Sequence, residues 1–266
     1  MASGRMFDEV GVLPDTFVLQ PAAERPSWTQ AFADRWLWEK ARAKDRVIKA
    51  YQFIAIKFFM VRLTPPEAHA ALPLWSRIKS YFPPRSGWYN FQLLQSAMIA
   101  DALYKDMYTA LAAGNLDRVE GKLKRDVLAS LRSRVLSRGS HTDTRWKLEK
   151  YNAKPRTVAY TVALVDPNKP KWRQTWMQQA VVEMDTEQSL VRTKRVIRPG
   201  GREEVVEGKK ESGGTVREYV VIQKLVVDGV EEGWKIWGMT RATTLADVKK
   251  AERKRLGLEE EEGEEV

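Results

Sequence analysis

The strongest constraint on this chain is an order: two helical segments come first, and a run of strand-like segments follows without another long helix between them. Residues 91 to 113 carry Leu94, Met98, Leu103, Met107 and Leu111 for a core, with Gln92, Gln95, Asp106 and Thr109 on the wet side, and Gly114-Asn115 supplies the stop. A second helix is predicted over about 124 to 138, ending at Gly139. Trp146 to Tyr151, Thr157 to Val165, Thr175 to Val191, Val216 to Val227 and Trp234 to Arg241 are rich in β-branched and aromatic residues. Asp166-Pro167-Asn168, Pro199-Gly200-Gly201, Gly213-Gly214 and Asp228-Gly229 separate them with turn chemistry. Helices followed by strands predict an α+β fold, with helices packed on one face of a curved antiparallel sheet.

The ends read differently from the middle. Residues 1 to 26, with Pro14, Pro21 and Pro26, have little periodicity and read as an extended arm. Ser27-Trp28-Thr29-Gln30 has capping-box form, and the helical pattern then runs over about 28 to 63, to Thr64-Pro65-Pro66. A short helix is expected after Pro73, with a stop at Pro83-Pro84. The expected organisation is an extended basic N-terminal arm over 1–90, an α+β domain over 91–245, and a basic helix with an acidic tail over 246–266. Residues 198 to 214, polar and glycine-containing, are expected to form a hairpin extension within the domain.

Charge narrows the function. Lys and Arg number 45 against 35 Asp and Glu, a net +10, and six of the acids lie in the last eight residues, so the body carries about +16. A basic body implies a polyanionic partner, nucleic acid or an anionic membrane. The absence of cysteine excludes a disulfide scaffold, a thiolate metal site and a cysteine nucleophile. His69 and His141 are too few for a histidine-built metal site, and neither a metal nor a cofactor is expected. No apolar run approaches the roughly 20 residues of a membrane span; the longest, Ala50 to Val61, is interrupted by Gln52 and Lys57. The opening residues, with Asp8 and Glu9, are not an Arg-rich amphipathic leader, which leaves either no cleavable targeting segment or a mature form.

Catalytic motifs are missing: no Gly-rich phosphate loop, nucleophile elbow, HExxH pair or paired-carboxylate motif is present. A helix-and-sheet cone with Tyr104, Asp106 and Tyr108 at a pocket is the one enzymatic alternative, and the expectation is a protein that is not an enzyme.

Two basic segments carry the binding expectation. Residues 25 to 62 hold nine Lys/Arg against three acids, interleaved with Trp28, Trp36, Trp38 and Tyr51, and residues 122 to 150 hold nine Lys/Arg against three acids. Cations neutralise phosphates and release counterions, while aromatic planes stack on exposed bases. The expected RNA-binding set is therefore Arg25, Arg35, Trp36, Trp38, Lys40, Arg42, Lys44 and Arg46 in the first segment. In the second it is Lys122, Lys124, Arg125, Arg132, Arg134 and Arg138. Phe53, Ile56, Lys57, Phe58 and Phe59 read as a contact with a membrane interface or with another protein.

The segment Thr175 to Arg195 with its Thr186-Glu187-Gln188-Ser189-Leu190 centre, the strand Val216 to Val227, and Gly233 to Gly238 resemble the family of mitochondrial large-ribosomal-subunit protein forty-five and its fungal counterpart, the inner-membrane ribosome receptor. Leu103 to Glu120 is similar to the opening helix of the wider family, which includes the import-motor tether Tim forty-four, and the resemblance extends over roughly 91 to 245. It implies a ketosteroid isomerase-like cone without catalytic residues, bound near the polypeptide exit of the large subunit. The implied partners are mitochondrial ribosomal RNA, large-subunit proteins, the inner-membrane surface and the insertase. The implied place is peripheral, on the matrix side of the inner membrane, holding the ribosome there for co-translational insertion. A membrane-bound tether of the import motor is the alternative that shares this fold.

Overall fold

The computed structural model describes residues 16–20, 24–59, 73–76, 88–138, 142–165, 175–197, 203–206, 210–211, 214–227 and 230–257. Helix α1 spans Phe32–Phe59, α2 spans Trp88–Ala113 and α3 spans Arg125–Leu136, with a 3-10 helix at Asp117–Lys122 between the last two. Strands β1 (Thr142–Leu164), β2 (Trp176–Ile197), β3 (Glu203–Val206), β4 (Lys210–Glu211), β5 (Thr215–Val227), β6 (Val230–Glu231) and β7 (Lys235–Thr240) follow, then α4 (Leu245–Arg255).

The fold is α+β, with helices on a curved antiparallel sheet. The sheet runs β1, β2, β5, with β7 on the far side of β5, and β3 and β4 fold back onto the distal end of β2. β2 and β5 pair continuously from Trp176 opposite Val226 to Glu187 opposite Thr215. The two strands expected at 146–151 and 157–165 are one strand, β1, whose register slips four times between Leu148 and Ala159. Pro155 cannot donate to a ladder, and the chain crosses that stretch by bulging rather than by breaking.

Alternation in β2 and β5 divides the core. Ala180, Val182, Met184, Val220, Ile222 and Val226 face α2 and α3, together with Tyr104, Met107, Leu128 and Leu131. Val181, Tyr219 and Val221 point to the other face, against Val18, Ala159 and Trp237. β5 therefore reads as a continuous apolar run because both of its faces are covered. Burial of side chains such as Val220 and Ile222 stabilises the fold by about 1.5–3 kcal/mol each. Met98, expected in the core, is exposed, and the helix instead meets the sheet through Ala97, Ala100, Leu103, Tyr104, Met107 and Leu111. Gly114 ends α2 in the left-handed region (φ 71°), where the amide of Asn115 closes on the Ala110 carbonyl at 3.1 Å.

The inner end of the arm and α1 are tied to this domain. Val18 and Thr243 exchange two hydrogen bonds of 2.9 Å, and Phe17, Trp38 and Val248 pack together. Lys49 joins three elements: its ammonium pairs with Asp45 at 2.6 Å and donates to the carbonyls of Phe17 and Val158 at 3.4 Å. The turn set by Ser27, whose hydroxyl accepts the Thr29 amide at 3.3 Å, precedes the helix, so α1 begins four residues later than the expected Trp28 start. Residues 60–63 of the expected helix lie outside the described residues, as do the 259–266 acidic tail and both histidines. α4 opens with a Thr244–Asp247 capping box, an arrangement worth about 1 kcal/mol. Hydrogen bonds from the Thr244 backbone and hydroxyl hold the Asp247 carboxyl below the ordinary carboxylate range.

Candidate functional site

Tyr104 and Tyr108 lie one turn apart on α2 with ring centroids 4.7 Å from each other. Both phenols donate to the Glu218 carboxylate on β5, Tyr108 at 2.8 Å. Gln188 on β2 donates to the Tyr104 oxygen at 2.6 Å and to Thr186 Oγ1 at 2.9 Å, and accepts from Trp146 Nε1 at 2.8 Å. The Trp146 ring stacks on Tyr108 at 5.2 Å, with 19° between planes. One carboxylate, two phenols, an amide and an indole thus satisfy one another between α2 and the sheet. Asp106, read on the wet side of the helix and beside the tyrosines only in the enzymatic alternative, faces outward and pairs with Lys122 at 2.7 Å.

Burial first, and the neighbouring Glu218 second, push both phenols well above the ordinary tyrosine range. They therefore stay protonated, and donors to Glu218, at neutral pH and through the ordinary tyrosine range. In the unfolded chain they ionise near pH 10. Above that pH the unfolded state has lost protons that the native state still holds, so stability falls as pH rises past about 10. An ultraviolet titration of the eight tyrosines is expected to show Tyr104 and Tyr108 ionising only together with alkaline unfolding. Ionisation of all eight with the circular dichroism unchanged would contradict this geometry.

The expected RNA-binding residues do not share one environment. Trp38 is fully buried, edge-on to Phe17 at 5.5 Å, so its ring is closed to a base; this corrects the expectation, and the reason is that the helix uses this face to dock. The Arg35 guanidinium lies 5.2 Å from the Trp28 ring and 5.4 Å from the Trp38 ring and pairs with Glu39 at 2.6 Å. Glu39 also takes Arg42 at 3.3 Å, Lys40 pairs with Glu252 at 3.3 Å, and Arg25 donates to the Gln20 carbonyl at 3.0 Å. Trp36, Lys44 and Arg46 are exposed.

In the second segment Lys124 is buried, its amide bonded to the Ile236 carbonyl at 2.8 Å, so it is not a surface cation as expected. Arg138 donates to the Leu111 carbonyl at 2.7 Å and closes the end of α2. Arg132 stands 3.5 Å from each of the exposed acids Asp117 and Glu120. Arg125 and Arg134 are exposed, and neither forms an ion pair among the described residues. Of the membrane or partner set, Phe53, Ile56, Lys57, Phe58 and Phe59 fall in the helical end of α1, and their side chains lie outside the described residues.

Sequence reasoning missed two arrangements. Glu218, Gln188 and Trp146 were not named as site residues, although a carboxylate two residues before Val220 on an inward-facing register is a legible signal. The other is a groove of about 810 Å³ between α1 and α4, walled by Leu37, Ala41, Ile48 and Val248 and rimmed by Lys40, Lys44, Arg241 and Arg255. Its two helices are 200 residues apart in sequence, and no local pattern pairs them. Among the described residues no three His, Asp or Glu side chains gather to hold a metal, and no helix is long and apolar enough to cross a membrane.

The fold is thus an α+β sheet-and-helix domain in which Tyr104, Tyr108, Trp146, Gln188 and Glu218 meet one another between α2 and the sheet. The family model for MBA1-like protein matches residues 87–249, more than half of the chain, and the chain belongs to that family. The family is a non-enzymatic one, associated with the mitochondrial ribosome and the inner membrane. The match agrees with the resemblance read over 91–245, and it takes in the whole Tyr104–Glu218 network but not α1. No curated protein matches the chain significantly.

Proposed function

We propose that this protein is a component or receptor of the mitochondrial large ribosomal subunit near the polypeptide exit, which touches ribosomal RNA and holds the ribosome at the matrix side of the inner membrane for co-translational insertion. The observation that carries the RNA contact is α3, where Arg125, Arg132 and Arg134 stand exposed with no buried partner. Arginines in this state fork onto phosphates and position a protein on structured RNA without reading its sequence. Ribosome binding belongs in this reading to the 91–245 domain, and the arm with α1 serves as the extension that reaches the membrane. Large-subunit proteins beside the RNA and the insertase at the membrane complete the set of partners.

Sucrose-gradient sedimentation of detergent-solubilised mitochondria at two salt concentrations tests the proposal. The expected result is co-migration with the large subunit at both. Migration only with light membrane complexes would overturn it in favour of an import-motor tether.

A further inference from the structure

The outward face of α1 has a composition that its role as a docked helix does not explain. Phe32, Ala33, Trp36, Ala43, Val47, Ala50 and Tyr51 are all exposed, with Phe32 at 65%, Trp36 at 62%, and Val47 and Tyr51 at 69%. At 100° per residue these seven fall within one arc of about 100°, centred near Trp36, while Leu37, Trp38, Ala41 and Asp45 occupy the opposite, docked side. Over 20 residues the face is about 30 Å long. Trp28, 48% exposed, extends it at the helix start, its ring 5.8 Å from that of Phe32.

Lys40 lies within the arc, Lys44 and Arg46 border it, and all three are exposed. The carboxylate nearest to it on the helix, Glu39, is held between Arg35 and Arg42. An aromatic and aliphatic strip edged by cations is the composition of a helix that lies in the plane of an anionic bilayer, with indole and phenol rings at headgroup level and cations on the lipid phosphates. RNA is the poorer match. One face of the Trp28 ring is already taken by Arg35, and Phe32 and Val47 have no hydrogen-bonding group to offer a nucleotide.

We infer that the outward face of α1, built on Phe32, Trp36, Val47 and Tyr51, is the surface by which this protein lies on an anionic membrane. The inference rests on the tether reading above and gives it a membrane-binding element outside the family-matched residues. It differs from the sequence expectation, which put the contact at Phe53 to Phe59.

Flotation of the full chain with vesicles of phosphatidylcholine, and of phosphatidylcholine containing phosphatidylglycerol, tests it. Binding is expected to the anionic vesicles, and Phe32→Ser/Trp36→Ser/Val47→Ser is expected to weaken it by roughly tenfold or more, with the circular dichroism unchanged. A second readout needs no variant: vesicles whose phosphatidylcholine carries brominated chains are expected to quench part of the tryptophan fluorescence of the native protein. Binding by the triple variant equal to that of the native chain, or no quenching, overturns the inference. So does a triple variant that leaves the ribosome in the gradient experiment yet still floats, since the strip would then face RNA or protein. A native chain that sediments with the large subunit but binds neither vesicle sinks this inference alone and leaves ribosome association standing.

Discussion

Tyr104→Phe is expected to destabilise the protein by about 2 kcal/mol, because the lost hydroxyl serves a charged acceptor inside the fold. Tyr104 is fully buried, donates to the Glu218 carboxylate and accepts from Gln188, so its removal leaves both partners short of one bond. Tyr108→Phe removes the second donor from a more exposed position and is expected to cost about 1 kcal/mol. The triple variant Tyr104→Phe/Tyr108→Phe/Glu218→Leu is expected to recover much of the loss, since neither the carboxylate nor the two phenols that served it then remain to be satisfied, and the changes are therefore non-additive. Urea denaturation reads all three as shifts of the midpoint at constant slope. A Tyr104→Phe variant within about 0.5 kcal/mol of the native chain would show that the network does not bear on stability.

Replacing Arg125, Arg132 and Arg134 together by Ala is expected to lower ribosome affinity and to flatten its salt dependence by up to one logarithmic unit per phosphate contact removed. Stability is expected to stay within about 1 kcal/mol, because Arg132 meets only exposed acids, at 3.5 Å, and the other two form no ion pair among the described residues. Arg35 and Arg42, whose charge is already met by Glu39, are expected to change the slope by less than one between them. Binding at several salt concentrations decides the matter. A slope unchanged in the α3 variant would remove that helix from the RNA contact.

Much of this molecule was legible in one dimension. The helices near 91–113 and 124–138, the strands at 175–191 and 216–227 and the short basic helix near the C-terminal end are local events, set by periodicity, β-branched content and stop signals such as Gly114. The family could be read as well, because the segments that carry the resemblance, such as Thr175 to Arg195, Val216 to Val227 and Gly233 to Gly238, are each contiguous in the chain. The functional surfaces were less visible. Trp36 and Trp38 are two residues apart in one helix, and both read as base-stacking candidates, yet one is 62% exposed and the other fully enclosed. The difference depends on which side of α1 meets Phe17 and Val248, a matter of contacts that are remote in sequence.

The same reason separates the two contributions throughout. A local pattern records what each segment prefers for its own backbone and how its apolar side chains are spaced, and this is enough for element type, order and the α+β class. Which cations stay free, which tryptophan is buried, which carboxylate joins Tyr104 and Tyr108, and that 146–165 runs as one bulged strand all depend on partners brought from 12 to more than 200 residues away. Burial and charge pairing are properties of those long-range contacts, and they take their values only when the sheet and helices close on one another.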